Sequence, residues 1–300
     1  MNSGLNMKKQ IRRIENKSSS TAGFNCMYRA ASYLEKNKFY RSEDYIALRL
    51  LPGIVHFLVK YRIVNFQWSF FPKGIYEYVI ARTKYIDEQF KELMKNGIEQ
   101  IVILGAGFDT RGIRFSKINA KTRIFELDSF HTQKAKICQF KKRGILSPVN
   151  TIYVPIDFSV DSMSEKLVQK GFDSKKRTLF LMEGLVMYLD KKAVNNLFRL
   201  VYKLASPGSR VIFDYIYASV LRRENIYYGE ENIYKKVNSV QESWLFGIEK
   251  GEIKEFLQKY NFKLIQNLTS EGLEKMFFKD NLGNITGKVN GTHCIAYIEK

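Results

Sequence analysis

The sequence predicts an α/β fold built on a mostly parallel sheet of seven strands with helices packed on both faces. Three observations predict it. After Gly97, short runs of β-type residues alternate with helical patterns, at the spacing of strand–helix–strand crossovers. The first of these runs feeds a glycine turn, "ILGAGFDTRG" at 103–112. The composition, 45% hydrophobic with 5 prolines and 19 glycines in 300 residues, suits one large domain with an ordinary core.

Residues 1–21, basic and polar, read as a flexible lead-in without the apolar run of a signal peptide. Residues 22–300 read as a single domain. Its first part, 22–96, is helical, with breaks near Arg41 and at Pro52-Gly53. The clearest helix there spans 74–95, with Ile75, Tyr78, Val79, Ile86, Phe90 and Leu93 on one stripe of period 3.6. Lys84, Asp87, Glu88, Lys91 and Glu92 take the other faces. Arg82 falls on the apolar stripe, and a buried guanidinium needs an anion. A carboxylate at the core edge, escape of the head group to water, or a ligand would each answer that need.

The core, 97–215, alternates strands 100–104, Thr122–Leu127, Thr151–Pro155, Thr178–Met182 and Arg210–Tyr215 with helices 131–142, 162–170 and 190–205. Residues 216–249, rich in Tyr, Glu, Asn and Lys, read as a helical lid insertion without a strand. In 250–300, helix 252–260 is followed by strands Phe262–Leu268 and Cys294–Ile298. The roughly 25 residues between those strands carry no strong helical pattern, which suits a strand added antiparallel at the sheet edge.

Net charge is +19. Such a charge permits nucleic acid, acidic membranes or anionic substrates. The lysines are nevertheless dispersed, and no aromatic–glycine motif accompanies them, so no nucleic-acid partner is expected. Cys26, Cys138 and Cys294 are far apart, which indicates neither a disulfide framework nor a zinc site. No stretch reaches the roughly 18 uncharged apolar residues of a membrane span. A cytoplasmic location in a reducing environment, and no metal, are the expectation.

Ligands of open parallel sheets sit beyond the carboxyl ends of the strands. Those ends here offer Gly105-Ala106-Gly107, then Asp128, then Asp157-Phe158, then Glu183. Glycines let backbone approach a ligand without a Cβ. Asp128 follows Gly107 by 21 positions (128 − 107), where an acid accepts hydrogen bonds from ribose hydroxyls. Asp157 can accept from an adenine amino group while Phe158 packs on the ring. Thr110 stands where a dinucleotide fingerprint has its third glycine. The two-glycine turn alone leaves an NAD(P) oxidoreductase open, as well as a basic nucleic-acid-binding protein that keeps the fold without activity.

The segments "TAGFNCMYRAASYL", "YEYVIARTKYID", "QIVILGAGFDTRGIRF", "RIFELDSF", "FLMEGLVMYLDKKAV", "ASPGSRVIFDY" and "WLFGI" resemble the leucine carboxyl methyltransferase-related family of class I S-adenosylmethionine-dependent methyltransferases, closest to its bacterial O-methyltransferase branch. The resemblance runs from about residue 21 to about 250. It implies a Rossmann-like fold, S-adenosyl-L-methionine as cofactor, and methyl transfer to a carboxylate or hydroxyl. It implies roles for Arg82 on the methionine carboxylate, Gly105 to Gly107 beside the methionine and ribose, Asp128 on the ribose, Asp157-Phe158 on adenine, and Glu183 near the amino group. Tyr188 is a candidate for the acceptor pocket. The chain departs from the family at Ser129-Phe130-His131, which puts the start of the next helix in question. Of the histidines, His56, His131 and His293, none is assigned as a base; His131 is expected at a helix start on the surface.

Overall fold

A computed structural model describes residues 20–64, 71–158, 160–231, 233 and 243–300. The first part holds α1 (Ser20–Tyr33), α2 (Tyr45–Leu50), α3 (Gly53–Lys60) and α4 (Ile75–Lys95). Pro52 caps α3, so the expected break at Pro52-Gly53 is present. The lead-in 1–21 lies outside the described residues, apart from its last two positions, which begin α1.

The core follows as β1 (Gln100–Leu104), α5 (Arg111–Arg114), β2 (Arg123–Asp128), α6 (Phe130–Lys142), β3 (Thr151–Pro155), α7 (Met163–Gln169), β4 (Thr178–Met182), α8 (Lys191–Leu204) and β5 (Arg210–Ile216). Each strand expected from 97–215 is present, with ends within one residue. The sheet order is β3-β2-β1-β4-β5-β7-β6. β1 to β5 run parallel, and β7 (His293–Glu299) runs antiparallel between β5 and β6 (Lys263–Leu268). The antiparallel strand thus lies at this end of the sheet, one place in from its outermost member.

β1 and β4 are buried at every position, as central strands covered on both faces must be. Two apolar clusters fill the layers. One joins the sheet to α8, α10 (Ile253–Gln258) and Phe198, Phe213 and Phe256; the other joins it to α4 through Tyr85, Ile86 and Phe90.

Three expectations need correction. The link between β6 and β7 contains a helix, α11 (Ser270–Phe277), capped by Thr269 and burying Leu273 and Phe277. It packs on α4; its apolar stripe is too short to show at sequence level. Asp87, placed on a polar face of α4, is 3% exposed. That face meets α5 rather than water, because Asp87 pairs with Arg111 and Arg114. In 216–249 the described residues hold the short helix α9 (Ala218–Leu221) and a parallel bridge from Tyr217 to Ile248, so the segment is not purely helical; 232 and 234–242 lie outside the described residues.

Candidate functional site

The strand order reverses between β1 and β4, the crevice where open α/β sheets hold ligands. Gly105 follows β1 and Glu183 follows β4, so the two flank that crevice. Gly105 has φ 67° and Gly107 φ 49°, left-handed values that favour glycine. A Cβ on Gly105 would lie 3.4 Å from Leu185, and one on Gly107 would lie 3.1 Å from the Cβ of Ala22. At Gly107 the close neighbour is therefore α1, a protein element that the expectation of a ligand contact had not foreseen. Ala106, 6% exposed, donates its N–H to Leu127 at 2.9 Å and ties the turn to β2.

Asp128 ends β2. Its Oδ2 accepts from Gly107 N at 2.6 Å, and its Oδ1 accepts from Ser129 N at 2.7 Å. Burial still raises its pKa despite those donors. Ser129 caps α6 by accepting from Thr132 N, so the departure at Ser129 supplies a helix start of ordinary chemistry. Asp157 and Phe158 follow β3; Asp157 N donates to Asp161 at 3.0 Å, and Phe158 is 46% exposed. The ring is free to offer a face to a flat ligand. Tyr188 closes the turn after β4 and packs partly on the core. His131 is exposed in the first turn of α6.

Arg82 is 4% exposed. Its Nη1 donates to Asp214 Oδ2 at 2.6 Å, its Nε lies 3.0 Å from Glu183 Oε1, and Nη2 reaches Asn25 Oδ1 at 3.4 Å. The anion that the helical stripe called for is thus supplied by the protein itself. Asp214 is the residue that sequence reading missed. It accepts from Gly184 N, Tyr78 Oη and Arg82 together. In the sequence it is one acid inside the apolar strand "RVIFDYI", with no neighbouring signal.

Asp214 terminates a buried chain of ion pairs. It runs from Arg82 through Glu183 to Arg111, then to Asp109 and Asp87, on to Arg114 and Asp44, and ends at Arg29. Four guanidiniums face five carboxylates, one net negative charge. Thr110 binds this chain together: its hydroxyl donates to Asp44 at 2.7 Å and accepts from Arg114 Nε at 2.8 Å. Burial raises the pKa of Asp44, Asp109 and Glu183, but the adjacent guanidiniums overcome it and hold all three low, Asp109 at about 2. Two buried donors, Arg82 Nε and Arg111 Nη2, lack a hydrogen bond in good geometry. Both belong to guanidiniums paired with Glu183. The buried chain thus carries one surplus negative charge, a setting that suits a ligand of overall positive charge.

Further along α1 and α4, a cavity of about 510 Å³ is lined by Ala31, Leu34, Glu35, Tyr40, Arg62 and Tyr76 among others. Tyr76 precedes Arg82 by six residues, roughly 9 Å along the helix. Among the described residues no cluster of His, Cys, Asp and Glu has the arrangement of a metal site, and no helix is long and apolar enough to cross a membrane.

Residues 42–202 match the family model described as leucine carboxyl methyltransferase. A protein of Bacillus subtilis, whose name places it among S-adenosyl-L-methionine-dependent methyltransferases, is 26% identical over 74% of this chain and 72% of its own length. One of Mycolicibacterium smegmatis with a name of the same kind is 37% identical over 45% of this chain and 42% of its own. The chain therefore spans less than half of that relative. Among solved structures, a protein of Thermobifida fusca titled as a methyltransferase superposes with a TM-score of 0.60 at 15% identity, covering 95% of both chains. That likeness concerns the fold alone.

Proposed function

The chain belongs to the leucine carboxyl methyltransferase family, and from that premise we propose that it is an S-adenosyl-L-methionine-dependent O-methyltransferase acting on a carboxylate or hydroxyl of a small-molecule acceptor. One observation carries the reading: Gly105 after β1 and Glu183 after β4 flank the reversal point of the sheet, with Asp128 bonded to the same glycine turn through Gly107 and Arg82 paired with Glu183. The cofactor supplies a methyl group already activated by a positive sulfur. The chain's own residues bind and orient. Asp128 accepts from ribose hydroxyls, and Asp157 with exposed Phe158 receives adenine. Arg82 takes the carboxylate, and Glu183 takes the amino group. Holding nucleophile, carbon and sulfur in line supplies most of the acceleration.

A dinucleotide enzyme is the reading to set against this one. Helix α5, only four residues long, offers little helix N-terminus to a diphosphate, and Thr110 is committed to Asp44 and Arg114. Calorimetric titration of the protein with S-adenosylhomocysteine and, separately, with NAD tests the choice. S-adenosylhomocysteine binds and NAD does not, and Asp128→Ala weakens the former by roughly 2–4 kcal/mol, the range for losing a desolvated charged contact. NAD binding without S-adenosylhomocysteine binding overturns the proposal; unchanged affinity in Asp128→Ala means the cofactor lies elsewhere.

A further inference from the structure

Two stretches of the sequence contain no acidic residue: 45–76, between Asp44 and Glu77, and 129–156, between Asp128 and Asp157. At the chain's average of 30 acids in 300 residues, these sixty positions would hold six. They hold nine lysines and arginines instead, four in the first stretch and five in the second. The fold packs the two together. Leu51, Val55 and Val59 share an apolar cluster with Phe140 and Ile145. Arg49 Nη2 donates to Arg143 O, and Arg143 Nη2 donates to Leu51 O. Two guanidiniums thus stand at one seam, between α2 and the end of α6. Lys60, Lys141 and Lys142 are exposed in the same stretches. The acids that flank the first stretch on its amino side are already spent: Glu35 on Arg62, Glu43 on Lys91 and Asp44 on Arg29.

The same stretches carry apolar side chains that the core does not take up. Of the eight residues of α3, only Val59 is buried. Ile54 is 74% exposed, Phe57 53%, and Tyr61, which closes the helix, 60%. Spaced i, i+3 and i+7, they lie on one side of the helix. The rings of Phe57 and Tyr61 meet with centroids 4.6 Å apart, and the ammonium of Lys60 lies 5.6 Å from the Tyr61 centroid. Leu146 and Val149, just beyond α6, are exposed as well. Single exposed apolar residues are ordinary. A helix that presents three on one side, next to a seam of cations, is a docking surface.

Its occupant must bring negative charge and take up hydrocarbon at once. A second copy of the chain would set the same cations against one another in a two-fold contact. Residues 1–19 carry five cations against Glu15, so the lead-in shares the sign of the face and does not complement it. Nucleic acid brings the charge, but its bases stack on flat rings and gain nothing from Ile54, Leu146 or Val149. An anionic bilayer brings both, with headgroups for the lysines and arginines and an acyl boundary for a short apolar helix lying in the interface. The net charge of +19 adds to the attraction of a flat, extended surface. We propose that α3 and the end of α6 dock the protein on an anionic phospholipid bilayer. The docking is peripheral, and it stands independently of the methyltransferase reading.

The test is flotation of the full chain with vesicles of phosphatidylcholine alone and with vesicles in which half is replaced by phosphatidylglycerol. The protein floats with the second and stays behind with the first. Lys60→Gln, Lys141→Gln and Lys142→Gln together weaken binding about a hundredfold, at about fivefold for each cation near an anionic surface. Lys254→Gln, Lys259→Gln and Lys263→Gln, exposed at α10 and β6, remove the same charge and weaken it less than about tenfold, because they lie outside the docking face. Ile54→Ser with Phe57→Ser leaves the charge unchanged and weakens binding about tenfold through lost apolar burial. Every substituted side chain is exposed, so thermal unfolding of the variants matches the parent's. Equal binding to the two kinds of vesicle, control lysines that matter as much as the three on the face, or unchanged binding in the Ile54 and Phe57 variant overturns the inference. Binding to neither vesicle also overturns it and leaves an acidic protein as the occupant.

Discussion

Arg82 holds two carboxylates, Asp214 and Glu183, in a site nearly closed to water. Removing one member of a buried ion pair leaves the other charge uncompensated, at a cost of about 3–5 kcal/mol. Arg82→Ala is therefore expected to lose stability of that order without any ligand present, as urea unfolding would show. A variant that binds S-adenosylhomocysteine poorly but unfolds like the parent would mean the arginine serves the ligand alone. The sequence put Arg82 on the buried stripe of its helix and demanded an anion for it, and that much was legible. The anion's identity was not, because Asp214 lies 132 positions away and periodicity carries no information about which distant residues meet. His293 was hidden for the same reason: its partners Tyr78 and Trp244 come from two other parts of the chain.

At the scale of elements, the strands were legible because each is an apolar run bounded by turn residues, while their packing partners were not. The glycine turn shows the difference. Its pattern suggested a close ligand, yet at Gly107 the element that approaches is α1, through Ala22. Gly107→Ala places a Cβ 3.1 Å from Ala22 on a backbone at φ 49°. The left-handed conformation alone costs a non-glycine residue roughly 1–2 kcal/mol, and the contact pushes on α1 in addition. Thermal unfolding of Gly107→Ala is expected to show that loss, and, measured against Ala22→Gly alone because glycine within α1 has its own cost, the double variant to recover only the contact's share. No recovery in the double variant would mean that α1 yields freely at this point. The lid was the least legible element, since Tyr- and Lys-rich sequence fixes neither helix nor strand, and 216–249 includes a bridge between Tyr217 and Ile248.

Across the whole molecule, the ion-pair chain ties α1, α2, α4, α5, β4 and β5 into one electrostatic unit, and so makes stability depend on acid. Asp44, Asp109 and Glu183 have pKa values below their ordinary ones. Their stabilisation is complete above the unfolded values near pH 4 and is lost as pH falls through the folded ones. Glu77, Glu126 and Asp128 act in the opposite sense, because burial raises them; their protonation on acidification relieves a cost. Asp109 isolates the first effect. Held at about 2 against an ordinary value of about 3.9, it contributes about 2 kcal/mol that disappears between roughly pH 4 and pH 2. Asp109→Asn keeps the volume and leaves Arg111 paired with Asp87 and Glu183. Its urea-unfolding free energy is expected to fall less steeply than the parent's over that window, by about 2 kcal/mol in all. Parallel curves would show that Arg111 does not hold Asp109 ionised, and the surplus negative charge of the chain would then be absent at low pH.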